Sequence, residues 1–173
     1  MTTPAGKSLR GRRLITAAAV ASVLLAACAG APNGPSPPLA RVVEVIDGDT
    51  IVVRSGSVEE PVRLIGIDTP EIAHHGQPGE CGGAEAAARL AQLIPPGAVV
   101  SLRRDVEARD HFGRLLAYVA AGAEDLSVVL AAEGHAVALA IPPNLALSDV
   151  VATAVDQARR SGLGIWERCQ LNG

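Results

Sequence analysis

Positive charge is scarce in this chain and unevenly spread. Of the 15 lysines and arginines, four lie in the first 13 residues (Lys7, Arg10, Arg12, Arg13), whereas all 18 acids lie beyond Cys28. From Cys28 onward eleven arginines stand against those eighteen acids, with no lysine, a net charge of −7. A surface so acidic argues against a tight, sequence-independent grip on nucleic acid, which needs a basic footprint. Long hydrophobic runs are missing too: the apolar stretch Leu14 to Leu25 falls short of the roughly 20 residues that span a bilayer. No internal repeat is visible, and His74, His75, Cys81 and Cys169 show no zinc-ligand spacing.

What is present begins with an address. The basic stretch Met1 to Arg13, the apolar run and the ending Leu25-Ala26-Ala27-Cys28 resemble the lipobox of bacterial lipoprotein signal peptides. The resemblance implies that residues 1–27 are removed and that Cys28 carries lipid, which holds the chain on the extracytoplasmic face of the cell membrane. An ordinary secretory signal is the alternative, and it too puts the chain outside the cytoplasm. Residues 28–40 hold Pro32, Asn33, Gly34, Pro35, Pro37 and Pro38 and read as a semi-rigid tether, with a reach of roughly 30 Å at ~3.1 Å per residue. Residues 41–169 have the length and apolar content of one domain, expected as a monomer. With Cys28 given to lipid, Cys81 and Cys169 are expected to form a disulfide in an oxidising compartment, two free thiols being the alternative.

Within the domain, Arg41 to Ile46 and Ile51 to Arg54 are β-branched runs separated by Asp47-Gly48-Asp49-Thr50, a strong hairpin signal. Leu64 to Ile67 reads as a short buried strand, with alternation placing Arg63, Ile65 and Ile67 on one face and Leu64 and Asp68 on the other. Helices are predicted over 84–94, over 126–133 with Asp125 as cap, and from Ser148, also a cap, to about Ser161. Strands are predicted over 98–103 and 115–120, and an extended segment over 135–141. The sum is a β-rich α+β fold, a small barrel of about five strands with about three helices.

The chemistry gathers on Arg63-Leu64-Ile65-Gly66-Ile67-Asp68-Thr69-Pro70-Glu71. Pro70 stiffens the corner at which the strand delivers Asp68 and Glu71, and the meander brings Asp49 to the same end of the sheet. Carboxylates converging there suit a hard cation such as Ca²⁺; a strand followed by a polar turn is the plain alternative.

Three motifs in order, Asp47–Thr50, Arg63–Glu71 and Phe112-Gly113-Arg114-Leu115-Leu116-Ala117-Tyr118, with the ending Gly164-Ile165-Trp166, resemble the signature of the staphylococcal nuclease (thermonuclease) family. The resemblance covers roughly Leu39 to Trp166. It implies a five-stranded OB-fold barrel with three helices and Ca²⁺-dependent hydrolysis of DNA and/or RNA to 3′-phosphorylated products. Position by position, it implies that Asp49 and Asp68 give carboxylates to calcium and Thr69 its backbone carbonyl. Glu71 would activate the attacking water, and Arg63 and Arg114 would bind the phosphate and its transition state. Guanidinium groups suit that task through paired hydrogen bonds to phosphate oxygens. Two departures stand out. His111 and Phe112 replace the lysine and tyrosine that contact the terminal phosphate in the family, and an imidazole serves phosphate best when protonated. The base-stacking aromatics are missing near Ala140 to Pro142, which implies weak substrate binding. Two other classes stay open: a tethered non-catalytic OB module binding oligonucleotide or oligosaccharide, and a calcium-stabilised envelope protein.

Overall fold

The computed structural model describes residues 37–169 except His75. The signal segment, Cys28 and most of the tether therefore lie outside the described residues. Eight strands and four helices follow in the order β1 Leu39–Val45, β2 Thr50–Ser55, β3 Val58–Leu64, β4 Gly66–Asp68, α1 Gly83–Leu93, β5 Val99–Arg103, β6 Leu115–Ala121, β7 Glu124–Asp125, α2 Leu126–Ala132, β8 Val137–Leu139, α3 Ser148–Arg160 and α4 Ile165–Arg168. Strands β3, β2, β1, β5 and β6 pair in that order, and β3 returns to pair with β6 in parallel through Val62–Leu115 and Leu64–Ala117. That last pairing closes a five-stranded barrel, the expected OB-like α+β architecture, and leaves the long sheet no free edge at β3.

Alternation builds the inside. Val42, Ile51, Val53, Val62, Leu64, Val100, Leu102, Leu115, Ala117 and Val119 are all buried and point inward from the barrel strands. Leu90 and Ile94 from α1, Leu126 and Leu130 from α2, and Val151 and Val155 from α3 join the same core. Truncating any such Leu or Ile to Ala costs about 2–5 kcal/mol, so the barrel is a stiff platform for whatever its loops carry.

Several boundaries differ from the sequence expectation. The barrel starts at Leu39, not Arg41, because Leu39 pairs with Ser101 and the Leu102 N–H bonds the Pro38 carbonyl at 2.9 Å. Ser148 does not cap α3. It is the first helical residue, preceded by Leu147, and its hydroxyl donates to the Leu145 carbonyl at 2.9 Å. Asp125 does cap α2, accepting from the N–H groups of Ser127 and Val128. A fourth, one-turn helix occupies 165–168, and Cys81 is bonded to Cys169 across 88 residues.

The predicted strand 64–67 is broken. Leu64, Ile65 and Ile67 are all buried, which strict alternation forbids. The cause is Gly66, whose φ of +92° lies in the left-handed region that glycine enters without penalty. The chain turns there, leaves β3, and pairs as β4 with β8 instead.

Candidate active site

The first wall of the site is the β1–β2 loop. The Asp47 carboxylate accepts the Asp49 N–H at 2.9 Å, an Asx turn that fixes the corner. Gly48 is needed for space: a Cβ there would lie 2.7 Å from Ala86 Cβ and from Thr69 Oγ1. The loop is thus pressed against α1 and the 66–71 segment, and Asp49 is carried inward to 5% exposure. Its Oδ1 accepts the Thr50 hydroxyl at 3.1 Å, and its Oδ2 accepts the Thr69 N–H at 2.9 Å and the Thr69 hydroxyl at 3.2 Å. Burial pushes the Asp49 carboxyl up to about 6; the Arg63 cation opposes this and the Asp47 charge adds to it.

The kink at Gly66 wraps the chain around Arg63. Nη1 of Arg63 donates to the carbonyls of Leu64 and Ile67, each at 2.8 Å, while Nη2 lies 2.8 Å from Asp68 Oδ1 and 2.9 Å from Asp49 Oδ2. A straight strand would point two of these acceptors away. Asp68 is exposed and Asp49 buried, so the acids that meet on Arg63 are one inner and one outer.

Glu71 lies three residues past Asp68, across Pro70. Its backbone is pinned at both ends: its N–H donates to Glu80 Oε2 at 3.0 Å, and its carbonyl accepts the Glu80 N–H at 2.8 Å. The start of α1 is pressed on the same carbonyl, since a Cβ on Gly83 would sit 2.3 Å from the Glu71 oxygen. The carboxylate itself is exposed and accepts no hydrogen bond among the described residues. An acid held by its backbone and free at its tip can take a proton from water.

Arg114 closes the opposite side. Asp110 receives its Nε at 2.7 Å and its N–H at 2.9 Å, and also the Phe112 N–H at 3.0 Å. Burial would raise the Asp110 carboxyl, but these bonds from Arg114 and Phe112 hold it below the usual value. The remaining Nη1 of Arg114 is 3.5 Å from the Thr50 hydroxyl, the same hydroxyl that donates to Asp49. Arg63, Asp49, Thr50 and Arg114 therefore form one continuous polar chain. Beside it opens a cleft of about 370 Å³, lined by both arginines, His111 and Asp110 on the polar side and by Leu116, Leu139 and Ile141 on the apolar side.

The predicted residues Asp49, Arg63, Asp68, Thr69 and Arg114 thus share one cluster, with His111 in the adjoining cleft and Glu71 beside it without direct contact. Three residues carry roles that the sequence did not assign: Asp47 orients Asp49, Asp110 orients Arg114, and Glu80 pins Glu71. Asp110 four positions before Arg114 is a visible ion-pair spacing; Glu80, nine residues beyond Glu71 in a glycine-rich loop, leaves no such signal.

The donors suit a hard cation. Asp49 Oδ2 and Asp68 Oδ1 converge on a single cationic nitrogen, and neither thiol nor imidazole accompanies them. No group of three or more His, Cys, Asp or Glu stands ready for a metal among the described residues. Two carboxylates with a Thr69 carbonyl and water are a set that calcium, with its flexible oxygen shell, accepts.

A closed five-stranded barrel carrying carboxylates and two arginines beside an open cleft defines a phosphodiester-handling OB fold. Residues 61–168 match the family described as staphylococcal nuclease homologue. The chain is 41% identical over 127 residues to the thermonuclease of Staphylococcus intermedius, covering 73% of this chain and 75% of that protein. It is 36% identical over 126 residues to the thermonuclease of Staphylococcus hyicus (73% and 74%), and 32% identical over 124 residues to endonuclease YncB of Bacillus subtilis (71% and 59%). The chain belongs to the staphylococcal nuclease family and is a nuclease hydrolase.

Proposed function

We propose that the chain is a calcium-dependent extracytoplasmic nuclease, held to the cell membrane by lipid on Cys28, that hydrolyses DNA and/or RNA to 3′-phosphorylated products. The observation that carries this reading is the polar chain from Arg63 through Asp49 and Thr50 to Arg114, set beside the uncommitted carboxylate of Glu71. Arg63 and Arg114 set two fixed positive charges beside the cleft, which favour a phosphodiester anion and the extra negative charge of its pentacoordinate transition state. Glu71 orients a water for attack at phosphorus and accepts its proton, typically a 10²–10⁴-fold effect. Asp49, Asp68 and the Thr69 carbonyl would hold calcium, which supplies charge stabilisation to a phosphate oxygen when bound. A calcium site with a purely structural role would have no use for Glu71 free at its tip or for two converging arginines.

The test uses residues 29–173 of the oxidised protein, since a start at Arg41 would cut β1. Digestion of single-stranded and duplex DNA and RNA is followed with calcium, with EDTA, and for Glu71→Gln. Calcium-dependent cleavage that disappears in the mutant, with 3′-phosphate ends on the products, is the expected result. Folded wild-type protein that cleaves nothing over a range of calcium and pH overturns the reading. Anchoring is tested separately: the full chain should partition with membranes, and Cys28→Ser should release it.

A further inference from the structure

The loop between Glu71 and α1 has little of its own in the core. From Ala73 to Cys81 every described residue is exposed, and a segment with so few buried contacts opens easily. Yet this loop supplies the Glu71 backbone with its partner: Glu80 accepts the Glu71 N–H at 3.0 Å and donates to the Glu71 carbonyl at 2.8 Å. The next residue, Cys81, is bonded to Cys169. Beyond it α1 begins without a side-chain cap, because its N-cap residue is Gly82, so its first turn frays readily. That turn carries Gly83, the residue pressed on the Glu71 carbonyl. The far end of the bridge is firm by comparison. Ile165 of α4 is buried and donates its N–H to the Gly134 carbonyl at 2.9 Å, and the Cys169 N–H bonds the Ile165 carbonyl at 2.9 Å. A Cβ on Gly82 would lie 2.5 Å from Ile165 Cγ2, so the loop end rests directly on α4. The Arg168–Glu85 pair also ties α4 to α1, but both side chains are about half exposed, and such pairs contribute little.

We propose that the Cys81–Cys169 disulfide positions Glu71, through Glu80 and the start of α1, so that full turnover requires the oxidised chain. The inference rests on Glu71 acting as the base that the nuclease reading gives it. Arg63 and Arg114 are fixed by Asp49, Asp68 and Asp110 instead, so loosening the loop reaches proton transfer and spares phosphate binding. The bridge is open to exchange, since Cys81 is exposed and Cys169 partly so. A dithiol attacks one sulfur as thiolate and forms a mixed disulfide. Its second thiol then closes a disulfide within the reagent, and two electrons and two protons have passed to Cys81 and Cys169. A disulfide-bearing oxidant outside the cytoplasm reverses the step. Because cytoplasmic thiols keep such a pair reduced, the chain is slow on nucleic acid inside the cell and becomes fast after export.

The test separates positioning from stability. Residues 29–173 are assayed with calcium when oxidised, after reduction by dithiothreitol and after reoxidation, while circular dichroism reports the folded fraction at the assay temperature. Reduction is expected to lower kcat per folded molecule roughly 10- to 100-fold, the scale of a small misplacement of a reacting group. KM should stay within about twofold, as should the affinity of Glu71→Gln for a labelled oligonucleotide in the two redox states. Reoxidation should restore kcat, and Cys81→Ala/Cys169→Ala should match the reduced form and ignore dithiothreitol. Glu80→Ala, with the bridge intact, should lose comparable turnover and respond little to reduction, because the two changes act through one contact. Glu80→Gln, whose amide oxygen can still accept the Glu71 N–H, should retain activity. Unchanged kcat in the folded, reduced protein overturns the proposal. So does a loss that merely tracks the unfolded fraction, or one that appears in KM alone. Absent turnover in the oxidised wild type is a different result: it overturns the nuclease reading, and this proposal with it.

Discussion

One nitrogen of Arg63 joins two carboxylates of unequal burial: Asp49, whose side chain is 7% exposed, and Asp68, at 51%. The two halves of this bridge should differ sharply in energy. Asp68→Asn removes a solvated partner and should change stability by at most about 1 kcal/mol. Arg63→Ala strands the buried Asp49 beside Asp47 and should cost about 3 kcal/mol or more, along with a loss of about 10²–10³-fold in turnover. Urea midpoints of the two variants check the first contrast. Equal losses would mean that burial does not govern the bridge.

Gly83→Ala sets two effects against each other. Alanine at the first turn of α1 gains up to about 1 kcal/mol in helix propensity, but its Cβ would lie 2.3 Å from the Glu71 carbonyl oxygen. Backbone contact of this kind yields only by moving the Glu71 segment, and overpacking costs about 1–3 kcal/mol. The clash should win. A displacement of Glu71 by about 1 Å is expected to lower kcat around 100-fold, with oligonucleotide affinity unchanged. Kinetics and anisotropy on the same protein check both halves. Full activity in Gly83→Ala would show that Glu71 need not be held where it is.

Much of this was legible in the sequence because it depends on short-range pattern. The barrel strands announce themselves by β-branched alternation, α2 by the Asp125 cap, and the site by acids and an arginine at strand ends. What could not be read is set by tertiary contact. The break of 64–67 depends on Gly66 choosing a left-handed conformation so that β4 can pair with β8, and glycine alone does not reveal its φ. Gly48 looked like a turn former, but it is required by the approach of Ala86 and Thr69, residues far away in the chain. Glu80 reaches the Glu71 N–H only because a loop folds back, and the parallel closure of β3 on β6 joins residues about 50 apart.

The Cys81–Cys169 disulfide follows Glu80 directly and ties the loop that pins Glu71 to the last helix. Its reduction should lower stability by about 2–4 kcal/mol, with the chain-entropy model setting the upper end for so long a loop. For a domain of this size that corresponds to a fall in Tm of roughly 10 °C. Thermal unfolding with and without reductant, and of Cys81→Ala/Cys169→Ala, checks it. A shift under 2 °C in both would show that helix packing alone holds the C-terminus.

Acid sensitivity should arise partly from a cluster away from the active site. Arg89 donates to both oxygens of Glu133, from Nε and Nη2 at 2.6 Å each, and His135 Nε2 lies 3.9 Å from Glu133 Oε2. The Arg89 hydrogen bonds hold the Glu133 carboxyl below its ordinary 4.5. Burial lowers the His135 imidazole below 6.5, with Glu133 and Glu85 opposing and Arg89 and Arg168 assisting. In both cases the unfolded chain binds its proton first as pH falls, so both make stability decline toward acid. The histidine contribution is complete above about 6.5 and is lost below it; the Glu133 contribution is complete above about 4.5 and is lost as pH falls through its lower folded value. Asp49, raised to about 6, has the opposite slope, so only differences between variant and wild type isolate the cluster. Relative to wild type, His135→Asn should flatten the pH dependence below about 6.5, and Glu133→Gln should flatten it below about 4.5. Urea midpoints from pH 3.5 to 7.5 give these differences directly. A difference curve for His135→Asn that stays level below pH 6.5 would show that the imidazole titrates alike in the folded and unfolded chain, which burial beside Arg89 and Arg168 opposes.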